Sequence, residues 1–190
     1  MSLRGIPSIA PHRAVGRPTG ATNNETNGGF ETDTTGWIGL GGAVLARVTT
    51  TAKFGAASGQ LVCSASNDGI QSSGPFGAFT GGNPYTMSAW VFADTGETVT
   101  VQWNEYDSGG SYLGIAHSAN VSGNGAWQQA TIAATTNASF SKVGLFAYSA
   151  SGAQTFYVDG IQFENGSIAT PYIETNGGTS SRSPLLAVAP

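Results

Sequence analysis

Short runs of β-branched and aromatic residues, separated by Gly, Asn, Asp and Ser, follow one another from about residue 43. Such runs are typical of β-strands. They predict strands over residues 43–50, 59–65, 85–93, 97–106, 111–117, 127–135, 141–149 and 154–163. No helical pattern separates them, so we expect antiparallel pairing rather than a parallel α/β sheet. The sequence therefore predicts an all-β fold, a jelly-roll β-sandwich.

Two of these segments differ in the alternation of their side chains. Residues 85–93 carry apolar side chains on both faces, which predicts a central strand that is covered on both sides. In residues 97–106 one face is apolar and the other is polar. The polar face, a candidate binding surface, consists of Thr100, Gln102, Asn104 and Tyr106.

Composition divides the chain into three parts. Residues 1–26 contain three prolines with glycines between them, which prevents a continuous helix or strand and predicts an extended N-terminal arm. Residues 27–175 form the predicted jelly-roll domain. Residues 176–190 form a C-terminal tail that ends in the apolar run 185–189, and this run either folds back on its own domain or contacts a neighbouring subunit.

Charge is sparse and unevenly distributed. Charged residues make up 9% of the 190 residues, against about 25% in typical domains, which excludes a long helical bundle or coiled coil. Aromatic residues at 10% argue against disorder. The net charge is -4, yet the arm is basic because it carries Arg4, Arg13 and Arg17 and, up to residue 24, no acid. The acidic remainder disfavours nucleic acid as a partner.

Membrane and redox signals are equally sparse. No run of 18 apolar residues occurs, so no membrane partner is expected, and the first residues lack the apolar core of a secretory signal. Cys63 is the single cysteine and cannot form an internal disulfide. Its apolar neighbours predict a buried side chain.

Four motifs, taken together, resemble a known family. They are Asn27-Gly28-Gly29-Phe30-Glu31 followed by Gly36-Trp37, then residues 54–61 (FGAASGQL), 85–88 (YTMS) and 157–161 (YVDGI). Their order and spacing over residues 27–164 are similar to those of carbohydrate-binding modules of the family 4/9 and 22 type, which implies a galactose-binding-like jelly roll. Residues 162–173 resemble the ending of such domains in bacteriophage virion proteins.

The resemblance also implies a structural calcium ion near the join of the first and last strands. Carried over by motif, Glu31 and Asp159 would supply carboxylates, and backbone carbonyls near Gly29 and Lys53 would complete an oxygen shell of the kind that Ca²⁺ prefers. The alternative is that both carboxylates cap turns or accept backbone hydrogen bonds.

Sugar binding needs exposed aromatic faces beside planar polar side chains. The candidate carbohydrate-binding residues are Trp37, Gln102, Trp103, Asn104, Tyr106 and Tyr112. Trp103 follows the face of Val99 and Val101, so a core position is favoured over a binding platform. Trp90 and Trp127 are interpreted as core residues.

No sequence pattern marks a catalytic centre. His12 and His117 are the only histidines, and neither lies in a recognisable nucleophile–base motif. No paired carboxylates, zinc spacing or nucleotide-binding loop is visible. We therefore expect a protein without enzymatic activity.

The hypothesis that combines these features is a bacteriophage virion structural protein, located in the virion. In it, the jelly roll is displayed as a capsid decoration or head-fibre protein, anchored through Arg4, Arg13 and Arg17. The expected partners are the major capsid protein or other virion proteins and cell-surface glycans, and a homo-oligomer is expected. The alternative is a tail-associated or free carbohydrate-binding module that recognises host or plant polysaccharide.

Overall fold

A computed structural model describes residues 21–182 of the chain, and every structural statement below concerns this part. Its strands are β1 (Ala21–Asn23), β2 (Trp37–Leu40), β3 (Val44–Val48), β4 (Ser58–Cys63), β5 (Gly69–Ser72), β6 (Pro84–Phe92), β7 (Thr98–Tyr106), β8 (Tyr112–Ser122), β9 (Trp127–Thr135), β10 (Lys142–Ser149), β11 (Gln154–Asn165) and β12 (Ser180–Arg182). None of the described residues forms a helix of the length and apolarity needed to cross a membrane.

The strands form two five-stranded sheets that pack as a sandwich. Sheet I has the order β2-β5-β10-β7-β8, and sheet II has the order β3-β4-β11-β6-β9. All neighbouring strands are antiparallel. The predicted all-β sandwich is confirmed. Most connections cross between the sheets, as in a jelly roll, while β3–β4 and β7–β8 are connections within one sheet.

Alternation along each strand builds the core. In β7, Val99, Val101 and Trp103 are completely buried, while the intervening side chains point away from the sandwich. In β6, Met87 and Val91 pack into the same core from sheet II. Cys63 is also buried, as the sequence predicts.

The packed body begins before the predicted domain boundary. β1 pairs with β12, and Asn23 is completely buried, with its amide donating to the Ile161 and Ile173 carbonyls. Residues 21–26 therefore pack on the body, because a buried asparagine amide satisfies two backbone carbonyls there. The rest of the predicted arm, with Arg4, Arg13 and Arg17, and tail residues 183–190 lie outside the described residues.

Candidate functional site

The outer face of sheet I carries a row of side chains that crosses all five strands. The strand registers align, in this order, Ile38, Gln71, Phe146, Gln102 and Ser118. Neighbouring strands lie about 4.8 Å apart, so the row places aromatic and amide groups close together.

A groove opens beside this row, with Gly144 of β10 as its floor. A side chain at Gly144 would lie 3.0 Å from the Tyr106 ring and 3.3 Å from the Phe146 ring. The groove has a volume of about 180 Å³, and Gln71 and residues 72–75 complete its lining. Two aromatic walls thus stand over a floor that has no side chain.

Hydrogen bonds hold the polar side chains next to the groove. The Tyr148 hydroxyl donates to Gln102 Oε1 at 2.9 Å, and Gln102 Nε2 donates to Asn104 Oδ1 at 2.8 Å. Within residues 21–182 the Asn104 amide N–H groups have no partner of their own. Asn104 is partly exposed, so these donors are available to a ligand.

Four of the six sugar-binding residues predicted from sequence meet on this face. Gln102, Asn104 and Tyr106 come from β7, and Tyr112 comes from the paired start of β8. The Tyr106 and Tyr112 ring centroids are 5.6 Å apart, and Tyr112 is 51% exposed. The hairpin between β7 and β8 therefore adds a second aromatic pair to the face.

The two predicted tryptophans do not join them. Trp103 points into the core and is completely buried, because it shares the inward alternation of Val99 and Val101. Trp37 is 5% exposed, and its Nε1 donates to the Asn27 carbonyl at 3.0 Å. Their assignment to the sugar-binding set is corrected: neither ring has a face that a ligand could reach.

Trp90 and Trp127 are predicted from the sequence to be core residues, and this prediction is wrong. Both lie on the outer face of sheet II and are partly exposed. Trp90 packs against Phe54, and Trp127 packs against Phe92. These aromatic contacts bury part of each ring without placing it between the sheets.

Phe146, Tyr148 and Gln71 are residues of the face that sequence reasoning missed. Residues 141–149 were predicted as a strand, and its inward positions 143, 145 and 147 already imply that Phe146 and Tyr148 point outward. That alternation could have found both rings. Gln71 lies in a four-residue strand that is too short to show a pattern.

Beneath this face lies a buried polar pair. Glu105 is completely buried, with Oε1 2.8 Å from His117 Nε2 and Oε2 accepting from the Asn137 N–H at 2.8 Å. The carboxylate points inward, between Asn104 and Tyr106, which point outward. Glu105 therefore supports the β7–β8 pair from inside and is not part of the exposed face.

The predicted metal ligands Glu31 and Asp159 accept hydrogen bonds from one backbone loop. Asp159 Oδ2 accepts from the N–H groups of Lys53 and Phe54 at 2.7 and 2.9 Å, and Glu31 Oε2 accepts from Ala56 at 3.0 Å. Burial raises the pKa of Asp159 to about 6, backbone N–H bonds oppose this shift, and the neighbouring Glu31 charge adds to it. These contacts match the alternative of carboxylates that accept backbone hydrogen bonds.

The donor set fits an oxygen-preferring cation only in part. Two carboxylates lie together, which suits Ca²⁺, but N–H donors already occupy oxygens of both. No group of three or more His, Cys, Asp or Glu side chains that could hold a metal is found among residues 21–182. Calcium binding therefore stays a proposal.

Comparison with known proteins agrees with this fold. The family model of the carbohydrate binding domain, families 4 and 9, matches residues 22–154. The chain belongs to this family. No curated protein matches the sequence of this carbohydrate binding domain.

Several solved structures share the fold at low sequence identity. A tailspike protein 4 domain of bacteriophage CBA120 aligns with a TM-score of 0.63 and 10% identity over 76% of this chain, but only 21% of the tailspike chain is covered. A xylan-binding domain from Paenibacillus barcinonensis aligns with a TM-score of 0.56 and 16% identity, covering 78% of this chain and 94% of its own. A family 61 module in complex with β-1,4-galactotriose aligns with a TM-score of 0.60 and 16% identity, covering 76% of this chain and 99% of its own.

Proposed function

We propose that this carbohydrate binding domain binds a neutral glycan chain along the outer face of sheet I. The observation that carries the proposal is the groove between Tyr106 and Phe146 over Gly144. A pyranose ring has an apolar C–H face and an edge of hydroxyl groups. Aromatic walls suit the first, and the amides of Gln71, Gln102 and Asn104 suit the second.

The shape of the face favours a chain over a single sugar. The row from Ile38 to Ser118 crosses all five strands, so successive sugar units can contact successive strands. Among residues 21–182 no charged side chain lines the groove, which favours a neutral polymer over an acidic one. The xylan-binding domain and the galactotriose complex with the same fold support a β-linked glycan as ligand. Binding rather than catalysis is the role proposed.

Titration of the full chain with xylo- and galacto-oligosaccharides tests the glycan site. We expect Tyr106→Ala and Phe146→Ala each to weaken binding at least about tenfold, because each removes one aromatic wall. Tyr157→Ala is the matched control, since Tyr157 is a partly exposed tyrosine on the outer face of sheet II. Equal losses for all three variants, or no saturable binding by any oligosaccharide, would contradict the proposal.

We further propose that the domain is a structural protein of a bacteriophage particle. The fold shared with a phage tailspike domain supports this, as does the resemblance of residues 162–173 to the endings of such domains in virion proteins. In this role the basic arm with Arg4, Arg13 and Arg17 anchors the chain to the major capsid protein or another virion protein. Repeated copies would then increase the strength of weak glycan contacts through avidity.

Purified particles distinguish the possible sites on the virion. Quantitative mass spectrometry of gradient-purified particles gives the copy number of this chain relative to the major capsid protein. Hundreds of copies support a capsid decoration protein, and a few to a few dozen place the chain at the tail or a vertex. Absence from the particles would overturn the virion proposal and leave a free glycan-binding module.

A further inference from the structure

A second, larger cavity lies between residues 76–80 and the chain segments that flank the β1–β12 ribbon. Its volume is about 480 Å³, within the range of roughly 300 to 1,000 Å³ that is usual for small-ligand sites. It is lined by the aromatic side chains of Phe76, Phe79 and Tyr85 and by the polar side chains of Asn24, Thr26 and Asn165, with the remaining lining from neighbouring loop residues. None of the sheet I groove residues takes part in it.

The apolar wall of this cavity is held rigidly. Phe76 pairs with Val143 through two backbone hydrogen bonds, at 2.9 and 3.0 Å. The Phe79 ring packs edge-on against Phe76 and stacks on Phe140, with centroids 6.4 and 5.6 Å apart. The Tyr85 hydroxyl both accepts from the Thr80 N–H and donates to its carbonyl.

Gly77 makes this wall possible. Its φ is +91°, which a residue with a side chain rarely adopts, and a Cβ at this position would lie 2.1 Å from the Phe79 ring. The turn at Gly77 therefore lets Phe76 and Phe79 face the same cavity from one short segment.

The polar lining offers hydrogen-bonding groups that are not used within the described residues. Asn24 donates its amide to the Phe163 carbonyl at 3.0 Å, which leaves Oδ1 as an acceptor. The side chains of Thr26 and Asn165 are exposed and have no hydrogen-bond partner among residues 21–182. Two amides and a hydroxyl therefore line the same cavity as the phenyl rings of Phe76 and Phe79.

We propose that this cavity is a second ligand site, which takes one neutral pyranose unit or a disaccharide. Within the described part of the chain no charged side chain lines it, so these residues offer an anionic ligand no ion pair. The phenyl rings suit the C–H face of a sugar, and Asn24, Thr26 and Asn165 suit its hydroxyl groups. The volume of about 480 Å³ suits one or two sugar units. The proposal does not depend on glycan binding by sheet I.

NMR titration of the full chain with galactose, xylose, glucose and their β-1,4-linked disaccharides tests this site. We expect saturable shifts at the backbone amides of Gly77, Ala78 and Asn165. The double variant Thr26→Ala/Asn165→Ala should weaken this binding about tenfold or more, because it removes two hydrogen-bonding side chains. Both residues are exposed, so the variant should keep its melting temperature.

One control variant makes the outcome specific. Asn176→Ala removes an exposed amide outside the cavity and should leave binding unchanged. Shifts that disappear with Phe146→Ala while the double variant binds normally would assign all sugar binding to sheet I and overturn the second site. The absence of saturable shifts at the cavity amides with every sugar would overturn it as well.

Discussion

Buried carboxyl groups link the stability of the domain to pH at the scale of single residues. Glu25 is 4% exposed, and burial raises its pKa from 4.5 to about 7 against two backbone hydrogen bonds that lower it. Because the pKa of Glu25 is higher in the folded state than in the unfolded state, the contribution of the protonated carboxyl group to folding stability is fully present below about pH 4.5. This stability is lost as the pH rises through about 7.

Glu25→Gln should therefore stabilise the protein at pH 8 by up to roughly 3 kcal/mol and have little effect at pH 4. The glutamine oxygen can still accept from the N–H groups of Thr26 and Asn27, which Glu25 Oε1 now binds. Denaturant unfolding at several pH values measures the difference. Glu174→Gln, at an exposed position, should show no such dependence; a lower stability of Glu25→Gln at pH 8 would contradict the prediction.

Asp159 decides the calcium proposal. If Ca²⁺ binds beside Asp159 and Glu31, adding it should raise the melting temperature, since a ligand that binds only the folded state stabilises it. A chelator should lower that temperature, and Asp159→Asn should abolish the response to both. An unchanged melting temperature with chelator would leave both carboxylates solely as acceptors of backbone hydrogen bonds, from residues 53–57 and from Gly160.

At the scale of elements, Gly28 of the motif at residues 27–31 allows two backbone segments to pack closely together. A Cβ at Gly28 would lie 1.9 Å from the Ile161 carbonyl oxygen, and the Ile161 N–H donates to the Gly28 carbonyl at 2.9 Å. The segment after β1 thus packs directly on the backbone of β11. It does so next to the irregular register between Asp159 and Gln162.

Gly28→Ala should accordingly destabilise the domain by about 3 kcal/mol, because backbone atoms must move to admit the methyl group. Gly178→Ala is the matched control: no atom lies within 4 Å of a Cβ built there, so its effect should be small. Thermal unfolding of both variants measures the difference. Equal melting temperatures for the two variants would contradict the close approach of Gly28 to β11.

At the scale of the whole molecule, the arm and the sandwich should be separable. The two sheets and the core described above lie within residues 21–182. Deleting residues 1–20 should therefore leave the melting temperature within a few degrees of the full chain. If the virion proposal holds, the same deletion should abolish attachment to particles, which co-sedimentation measures. A free glycan-binding module would instead keep its sugar affinity after the deletion, and neither the full chain nor the shortened chain would attach to particles.

The strand pattern was readable from the sequence, and the short strands were not. All eight predicted strands appear, and none of their ends differs from the predicted end by more than five residues. β1, β2, β5 and β12 have only three or four residues each, so no alternation could reveal them. β2 and β5 form one edge of sheet I. Because neither strand is recognisable from the sequence, Gln71 and the full width of the exposed face are not recognisable either.

The sequence by itself determined the all-β class, the family motifs and the alternation that turns Gln102, Asn104 and Tyr106 outward. These properties depend on residue type and on a period of two along a single strand. Only the tertiary structure decided that Phe146 stands beside Tyr106, that Trp37 and Trp103 are buried, and that Phe76 and Phe79 enclose a cavity with Asn165. Those relations join strands that are distant along the chain, and they depend on strand order, register and sheet packing, which no local pattern records.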